Sequence, residues 1–140
     1  MWFRQDLTVK GIQDWCENTM VDHLGIEITE IGEDFLKGTM PIDSRTVQPH
    51  RRLHGGASCV LAETLGSIAA NLVLNQKTHV AFGQSINASH LRPGVNGVAV
   101  GIAKPIHLGK STQVWEIQIK DESEEKLLCL SRLTMAVIRK

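Results

Sequence analysis

Residues 54–74 read HGGASCVLAETLGSIAANLVL, and this stretch decides the fold because it is the longest helical pattern in the chain. Ala, Leu and Glu favour a helix, and no proline interrupts residues 57–74. The apolar side chains cover a broad surface of that helix: Val60, Leu61, Leu65, Ile68, Leu72 and Val73. A helix that is apolar over most of its circumference is buried, so the pattern predicts a central helix.

The segments on both sides of this helix alternate apolar and polar residues, which is typical of half-buried strands. Trp115, Ile117 and Ile119 show the alternation best, since the residues between them are polar. Consecutive strands joined by short turns are expected to pair antiparallel. Six strands are predicted, over residues 26–31, 35–42, 79–91, 96–106, 112–120 and 126–139.

A short amphipathic helix is predicted ahead of the strands, over residues 8–18. Thr8 is a suitable cap for its first turn. Ile12, Trp15 and Cys16 form an apolar stripe at i, i+3 and i+4. The whole order indicates an α+β fold, with one antiparallel sheet packed around one buried helix. A sheet of this size with a single covering helix leaves much surface to bury, so we expect an oligomer.

The composition bounds the size and the class of the protein. With 140 residues, 42% of them apolar and 21% charged, the chain is expected to fold as a single domain over residues 1–140. Fifteen basic residues balance fifteen acidic ones, which argues against a dedicated nucleic-acid binder. No apolar run approaches the roughly 20 residues that span a bilayer. The N-terminus lacks a signal-peptide pattern, so we expect a cytoplasmic protein without membrane attachment.

The residues that commonly hold metals lack the spacing of a metal site. Cys16, Cys59 and Cys129 are far apart and odd in number. Among the six histidines only His50 and His54 have HxxxH spacing, in a polar stretch outside the predicted helices, and no pair has HxH spacing. Cys59 and Cys129 lie in apolar stretches, where a cysteine usually fills space in the core. We therefore expect no metal and no closed set of disulfides.

Glu63 is the most informative residue, because glutamate is rarely buried without a partner and this one lies in the helix expected to be buried. Gly66, one turn after Glu63, lies inside the predicted helix, where glycine lowers stability by about 1 kcal/mol relative to alanine. Close approach by a ligand or another helix would offset that cost. Two interpretations follow: Glu63 belongs to a buried polar network or subunit contact, or it is a catalytic carboxylate. Small residues surround it at helical spacing, namely Gly56, Cys59, Gly66, Ser67 and Ala70.

The segment His54-Gly55-Gly56 precedes the helix. Glycine allows close backbone approach, and the first N–H groups of a helix have no internal partner. The segment is therefore either a candidate oxyanion hole or simply the turn that starts the helix. Gly55 lies about 12 Å along the helix axis from Glu63. That distance is too long for both residues of one protomer to act on one carbonyl, so a site that uses both would join two chains.

Positively charged side chains lie at predicted loop ends, namely Arg51, Arg52, Arg92, Lys104 and Lys110. Such side chains either hold phosphate groups or form a solvated face. Gln48 and Asn87 add neutral polar groups near the same segments.

Several motifs together resemble those of the hotdog-fold acyl-CoA thioesterases. The clearest are residues 41–49 (PIDSRTVQP), 53–58 (LHGGAS) and 61–67 (LAETLGS). The chain is most similar to the bacterial branch that contains 1,4-dihydroxy-2-naphthoyl-CoA hydrolase, for which a role in menaquinone biosynthesis is implied, and the enterobactin-pathway proofreading thioesterase. The implied fold is a curved antiparallel sheet wrapped around a long central helix. The match covers nearly the whole chain and continues through residues 86–93, 105–109, 113–117 and 131–134.

The resemblance also implies roles for individual residues. Glu63 is implied to attack the thioester carbonyl or to activate a water, and the Gly55 N–H to polarise the thioester oxygen. His54 and Gln48 are implied to contact the thioester or the water, and Ser67 to orient the water or the acyl group. The CoA portion of the substrate is implied to lie near Gly56, His90, Arg92, His107, Gly109 and Lys110.

Members of this family form dimers, commonly paired into tetramers, with active sites at the subunit interface, and CoA enters as part of the substrate rather than as a cofactor. The chain departs from the family after Gln48-Pro49, where relatives commonly place an aromatic and a small residue and this chain has His50-Arg51-Arg52. The departure suggests that Arg51 or Arg52 contacts a CoA phosphate or an acidic acyl group. The sequence indicates neither the acyl group, aromatic or not, nor the choice between CoA and an acyl-carrier protein.

Two other functions fit the same fold. A non-catalytic module that binds acyl-CoA or an acyl-carrier protein would have no need of Glu63. A hotdog dehydratase would carry a catalytic histidine on the central helix, and residues 57–74 contain none. The sequence therefore favours hydrolysis of an acyl thioester to a free acid and CoA.

Overall fold

A computed structural model describes all 140 residues. The six predicted strands and the long helix are confirmed, each with ends within two residues of the expected ones. In chain order the elements are α1 (Val9–Trp15), α2 (Met20–His23), β1 (Glu27–Ile31), β2 (Leu36–Pro41), α3 (Gly55–Leu72), β3 (His79–His90), β4 (Val98–Leu108), β5 (Thr112–Lys120) and β6 (Leu127–Arg139). None of the helices combines the length and the apolar character needed to cross a bilayer.

All six strands form one antiparallel sheet in the order β1-β2-β4-β5-β6-β3. The expected pairing of consecutive strands is confirmed for β1–β2, β4–β5 and β5–β6, but it is wrong for β3 and β4, which do not pair. β3 pairs with β6 instead and becomes an edge of the sheet. The two strands are three strand spacings apart, about 14 Å, whereas the seven residues 91–97 can span about 23 Å. The connection is therefore long enough to cross the sheet.

The long helix α3 lies against the sheet and contacts every strand from β2 to β6. Leu61, Leu65 and Ala69 are fully buried between helix and sheet. The strands approach α3 closely where they carry glycine, since a Cβ on Gly101 would lie 2.6 Å from Leu65 Cδ1. The expected alternation on β5 is confirmed, because its buried and half-buried residues alternate along its whole length. This is the predicted α+β hotdog arrangement, a curved antiparallel sheet around one long helix.

The row of small residues around Glu63 divides between two environments. Gly66 faces the sheet, where a Cβ would lie 2.5 Å from Leu133 Cδ2, and Ala70 is fully buried. Glu63 and Ser67 are only half-buried. Packing against β6, rather than approach of a ligand, therefore accounts for the glycine at position 66.

The N-terminal segment differs from the expected single helix. Thr8 caps α1 as predicted, accepting from Gly11 N–H at 3.0 Å, but the helix ends at Trp15 and a second short helix, α2, follows. Gln13 holds α1 against β1, since its side-chain NH₂ donates to Ile26 O just before the strand and its Oε1 accepts from Ile28 N–H within it. This contact buries Ile12 but leaves Trp15 59% exposed, so the expected apolar stripe is only partly buried.

Candidate active site

The start of α3 is held by a tight loop. Gln48-Pro49-His50-Arg51 forms a turn in which Arg51 N–H donates to Gln48 O at 2.8 Å, and Val47 and Leu53 pair across it. Proline is favoured at the second position of such a turn and glycine at the fourth. Arg51 occupies that fourth position with φ 62°, in the left-handed region. This loop therefore places a charged side chain in a conformation that suits glycine.

His54 caps α3 with its side chain, because Nδ1 accepts from Gly56 N–H at 2.8 Å. In the neutral ring a nitrogen that accepts carries no proton, so the proton lies on Nε2. The amide of Gly55 has no partner within the helix, and it lies at the positive end of the helix dipole. Gly55 N–H and His54 Nε2–H are thus two donors without an acceptor in the chain at this end of the helix. The Gly56 amide is occupied by the cap.

A polar hollow of about 410 Å³ lies at this end of the helix. His90, at the end of β3, packs against Gly55, where a Cβ would lie 2.9 Å from Nε2. Gln48 Oε1 accepts a hydrogen bond from His50 N–H, which fixes the side-chain amide, and the NH₂ group of Gln48 has no acceptor within the chain and is free to donate. The lining also includes Arg52 and Arg92. The hollow therefore presents donors and positive charge, which suit a carbonyl oxygen and phosphate groups.

Glu63 lies two turns further along α3. Its carboxylate rests over β3 at Gly83, where a Cβ would overlap Oε1. The side chain is half-buried and forms neither an ion pair nor a hydrogen bond within the chain. No polar network within the protomer therefore occupies this carboxylate, which leaves it free to act on a ligand.

A mostly apolar groove of about 470 Å³ opens beside Glu63. One wall is the exposed side of α3, including Val60, Ser67 and Ile68, and the other comes from α1 and α2, including Trp15 and Met20. The Ser67 hydroxyl makes only a long contact of 3.8 Å to Met135 Sδ, so it is available to a ligand.

Trp15 and Met20 are site candidates that the sequence reasoning missed. Trp15 lies on the same helical stripe as Ile12 and Cys16, which are buried, and nothing in the spacing distinguishes it from them. Met20 opens a helix that was not predicted.

The structure divides the predicted site residues of one chain between the two cavities. Gln48, Arg52, Gly55, His90 and Arg92 line the polar hollow, beside which His54 caps the helix. Glu63 and Ser67 line the apolar groove.

Besides the capping His54, five predicted positions line neither cavity. One of them is Gly56, whose amide donates to His54 Nδ1. Arg51 is exposed at the tip of its loop. His107, Gly109 and Lys110 lie at the β4–β5 turn, away from both cavities of the same chain. Lys104, one of the candidate phosphate contacts, is already engaged, because it lies 3.8 Å from Asp34 and over the ring of Phe35.

The three cysteines form no disulfide, and Cys16 lines the apolar groove. Cys129 is buried, and burial raises the pKa of its thiol to about 11. All three cysteines are free thiols. The chain holds no group of three or more His, Cys, Asp or Glu residues arranged to bind a metal.

The chain is similar to known thioesterases in sequence and in fold. A family model described as Thioesterase superfamily matches residues 50–128. Proofreading thioesterase EntH of Cronobacter turicensis is 45% identical over 138 residues, covering 99% of each chain. The 1,4-dihydroxy-2-naphthoyl-CoA hydrolase of Escherichia coli is 45% identical over 138 residues, covering 99% of this chain and all of its own. A crystal structure of a mutant thioesterase from Pseudomonas aeruginosa superposes with a TM-score of 0.95 at 40% identity, covering 99% of both chains.

Proposed function

This chain belongs to the thioesterase superfamily, and from that premise we propose that it hydrolyses acyl-CoA thioesters to a free acid and CoA at a site shared by two subunits. One observation carries the proposal. Glu63 is a half-buried carboxylate without a partner, and a groove fit for an acyl group opens beside it. In our proposal residues 1–140 act as one domain in the cytoplasm, and CoA is part of the substrate, with no added cofactor.

Glu63 supplies the base or the nucleophile. As a base, it takes a proton from a water that attacks the thioester carbonyl. As a nucleophile, it attacks the carbonyl itself, the C–S bond breaks to release the CoA thiolate, and water then hydrolyses the resulting anhydride. In both routes negative charge develops on the carbonyl oxygen. The free Gly55 N–H and His54 Nε2–H, with the Gln48 NH₂ group, are suited to stabilise that charge.

The two halves of the site come together through the edge strand β3. This strand is twelve residues long, largely exposed and unpaired along its outer side. Such an edge readily pairs with another strand. A two-fold axis through an antiparallel pair passes between two identical residues, because hydrogen-bonded and non-hydrogen-bonded pairs alternate. Pairing of β3 with its own copy centred on Asn87 would set residue 90 of one subunit opposite the bulge at residues 83–85 of the other.

That register supports a shared site. Glu63 lies over Gly83, and Gly55 lies against His90. The pairing would therefore bring the carboxylate of one subunit to the free helix amide of the other, which removes the separation of about 12 Å within one chain. A dimer follows from this pairing, and two dimers would make a tetramer.

CoA is assigned to the positively charged side of the site. Arg52 and Arg92 line the polar hollow with His90, and Arg51 stands beside them at the loop tip. Guanidinium groups match phosphate oxygens well. Positions 107, 109 and 110 would reach the nucleotide only from another subunit. An acyl-carrier protein presents the same phosphopantetheine arm and is a second candidate donor of the acyl group.

The test is release of free thiol from a panel of acyl-CoAs that includes 1,4-dihydroxy-2-naphthoyl-CoA, the substrate in the name of the E. coli relative. Glu63→Gln keeps the shape of the side chain and is expected to lower kcat by about 10²–10⁴-fold. Glu116→Gln, on the opposite face of the sheet, is the matched control and is expected to keep full activity.

The same panel separates hydrolysis from binding alone. A non-catalytic module would bind acyl-CoA without releasing thiol, and Glu63→Gln would then change nothing. Full turnover by Glu63→Gln, with the wild type active, would show that the carboxylate is not catalytic.

A further inference from the structure

We propose that the groove between α1–α2 and α3 binds the acyl group of the thioester, and that Trp15 and Met20 determine which acyl groups are accepted. The inference rests on the proposed thioesterase function, because the position of the reacting carbonyl orients the rest of the substrate. It assigns a role to the N-terminal helices, which lie outside the residues matched by the family model.

Glu63 places the reacting carbonyl beside the groove. A reacting carbonyl must come within about 3–3.5 Å of the group that attacks it. The acyl substituent is one bond away from that carbonyl, and Glu63 itself lines the groove. Val60 and Ile68, which flank Glu63 on the same side of α3, therefore contact whatever the carbonyl carries.

The groove has a size and a lining that suit an apolar acyl group. Its volume of about 470 Å³ lies in the range of small-molecule sites. It offers apolar walls and, close to Glu63, the unpaired hydroxyl of Ser67. The polar hollow has the opposite character, with Arg52 and Arg92 in its lining. A charged CoA and an apolar acyl group thus have separate places on either side of the carbonyl.

Hydrogen bonds hold the outer wall of the groove, formed by α1 and α2, in place. Thr19 caps α2 and donates its hydroxyl to Cys16 O at 2.6 Å, which closes the turn between the two helices. Gln13 ties α1 to the sheet with two further hydrogen bonds. Trp15 and Met20 are each 59% exposed on this well-held turn. Large apolar side chains presented in this way mark a binding surface, and here the adjoining carboxylate indicates an acyl group.

Kinetics with acetyl-CoA, hexanoyl-CoA and benzoyl-CoA test the proposal. Trp15→Ala and Met20→Ala are expected to lower kcat/KM for the two larger substrates by about ten- to a hundredfold, with little change for acetyl-CoA and no change in molar mass by light scattering. The ratio of hexanoyl to benzoyl turnover distinguishes an aliphatic from an aromatic preference. Phe3→Ala removes another exposed aromatic ring, one that lines a different hollow, and is expected to change nothing.

Two results would overturn it. Equal losses for all three substrates together with a smaller molar mass would mean that a second copy of the chain covers the groove. Unchanged kinetics in both variants would mean that the acyl group lies elsewhere.

Fluorescence separates this inference from the proposed function. The chain has three tryptophans, and only the Trp15 indole makes no hydrogen bond within the chain, since those of Trp2 and Trp115 do. A change of tryptophan emission that disappears when Trp15→Phe is added to Glu63→Gln therefore comes from the groove. Hexanoyl-CoA, but not acetyl-CoA, is expected to shift the emission of Glu63→Gln. A shift without turnover by the wild type would refute hydrolysis and keep the acyl site, whereas turnover without a shift would refute the acyl site.

Discussion

The polar hollow at the start of α3 and the apolar groove along its middle share one helix but differ in how they are made. The hollow is built from backbone amides and from the ends of loops and strands, and it gathers donors such as Gly55 N–H and positive charges such as Arg92. The groove is built from side chains of three helices, and Glu63 is the only charged group in its lining.

This difference matches the two ends of the acyl-CoA substrate that we propose. CoA carries phosphates and needs positive charge, while an acyl group needs apolar walls, and the bond to be cleaved lies between them. In one chain the two environments are about 12 Å apart along the helix. A symmetric partner is the simplest means of placing the hollow of one subunit against the groove of the other.

After the loss expected for Glu63→Gln, the largest effect is expected from inactivating the two halves of the site separately. Gly55→Pro removes the helix amide, and proline is acceptable there because His54 already has φ −66° and ψ 133°, a conformation that suits the residue before proline. Gly55→Ala adds a Cβ near His90 but keeps the N–H, so it is the control for crowding. We expect kcat of the proline variant to fall about 10²–10³-fold below that of the alanine variant.

Mixing then tests whether the halves belong to different subunits. Gly55→Pro and Glu63→Gln chains carrying different tags are produced together, and the mixed oligomer is purified through both tags. A shared site leaves one intact copy per mixed dimer, so about half of the wild-type activity per dimer is expected. A site contained within one chain would leave the mixture as inactive as its parents.

A smaller effect is expected from the charge of the hollow. Arg51→Glu with Arg52→Glu is expected to raise KM for acyl-CoA about ten- to a hundredfold, since a hydrogen bond between charged groups contributes about 1.5–3 kcal/mol. Lys77→Glu with Arg139→Glu changes the net charge equally at exposed positions far from the loop and serves as the control.

A truncated substrate tests whether Arg51 and Arg52 contact the phosphates of CoA. An N-acetylcysteamine thioester of the same acyl group lacks the phosphates of CoA, and its KM is expected to stay unchanged in the double variant. Unchanged KM for acyl-CoA as well would reject a phosphate contact.

The smallest expected effect concerns strain in the loop beside the hollow. Arg51 has φ 62°, a conformation that costs a residue with a Cβ about 1–2 kcal/mol. Arg51→Gly is therefore expected to raise Tm by about 2–4 °C while raising KM for acyl-CoA. Arg52→Gly, one residue away and without a positive φ, is expected to lower Tm or leave it unchanged. A lower Tm in Arg51→Gly would mean that the left-handed turn is not strained.

The local elements were predictable because local chemistry decides them. Composition and the lack of proline indicated α3, and strict alternation indicated β5, since both patterns follow from the geometry of a single element. The Thr8 cap followed in the same way from its position before a helical pattern. Glu63 was recognisable because a carboxylate on a buried helix conflicts with its surroundings, and such conflicts are frequent at functional sites.

What the tertiary structure decided depends on contacts between segments distant in the chain. The pairing of β3 with β6, rather than with β4, follows from how the whole sheet closes over α3, and no dipeptide in residues 91–97 encodes it. Trp15 and Ile12 share one helical stripe, and only the hydrogen bonds of Gln13 to the sheet decide which of them is buried. The sequence thus determined the six strands, the long helix and the position of the carboxylate that we propose to be catalytic, because these depend on neighbours a few residues away. The groove beside that carboxylate depends on packing between helices some forty residues apart, and it became visible only in the folded molecule.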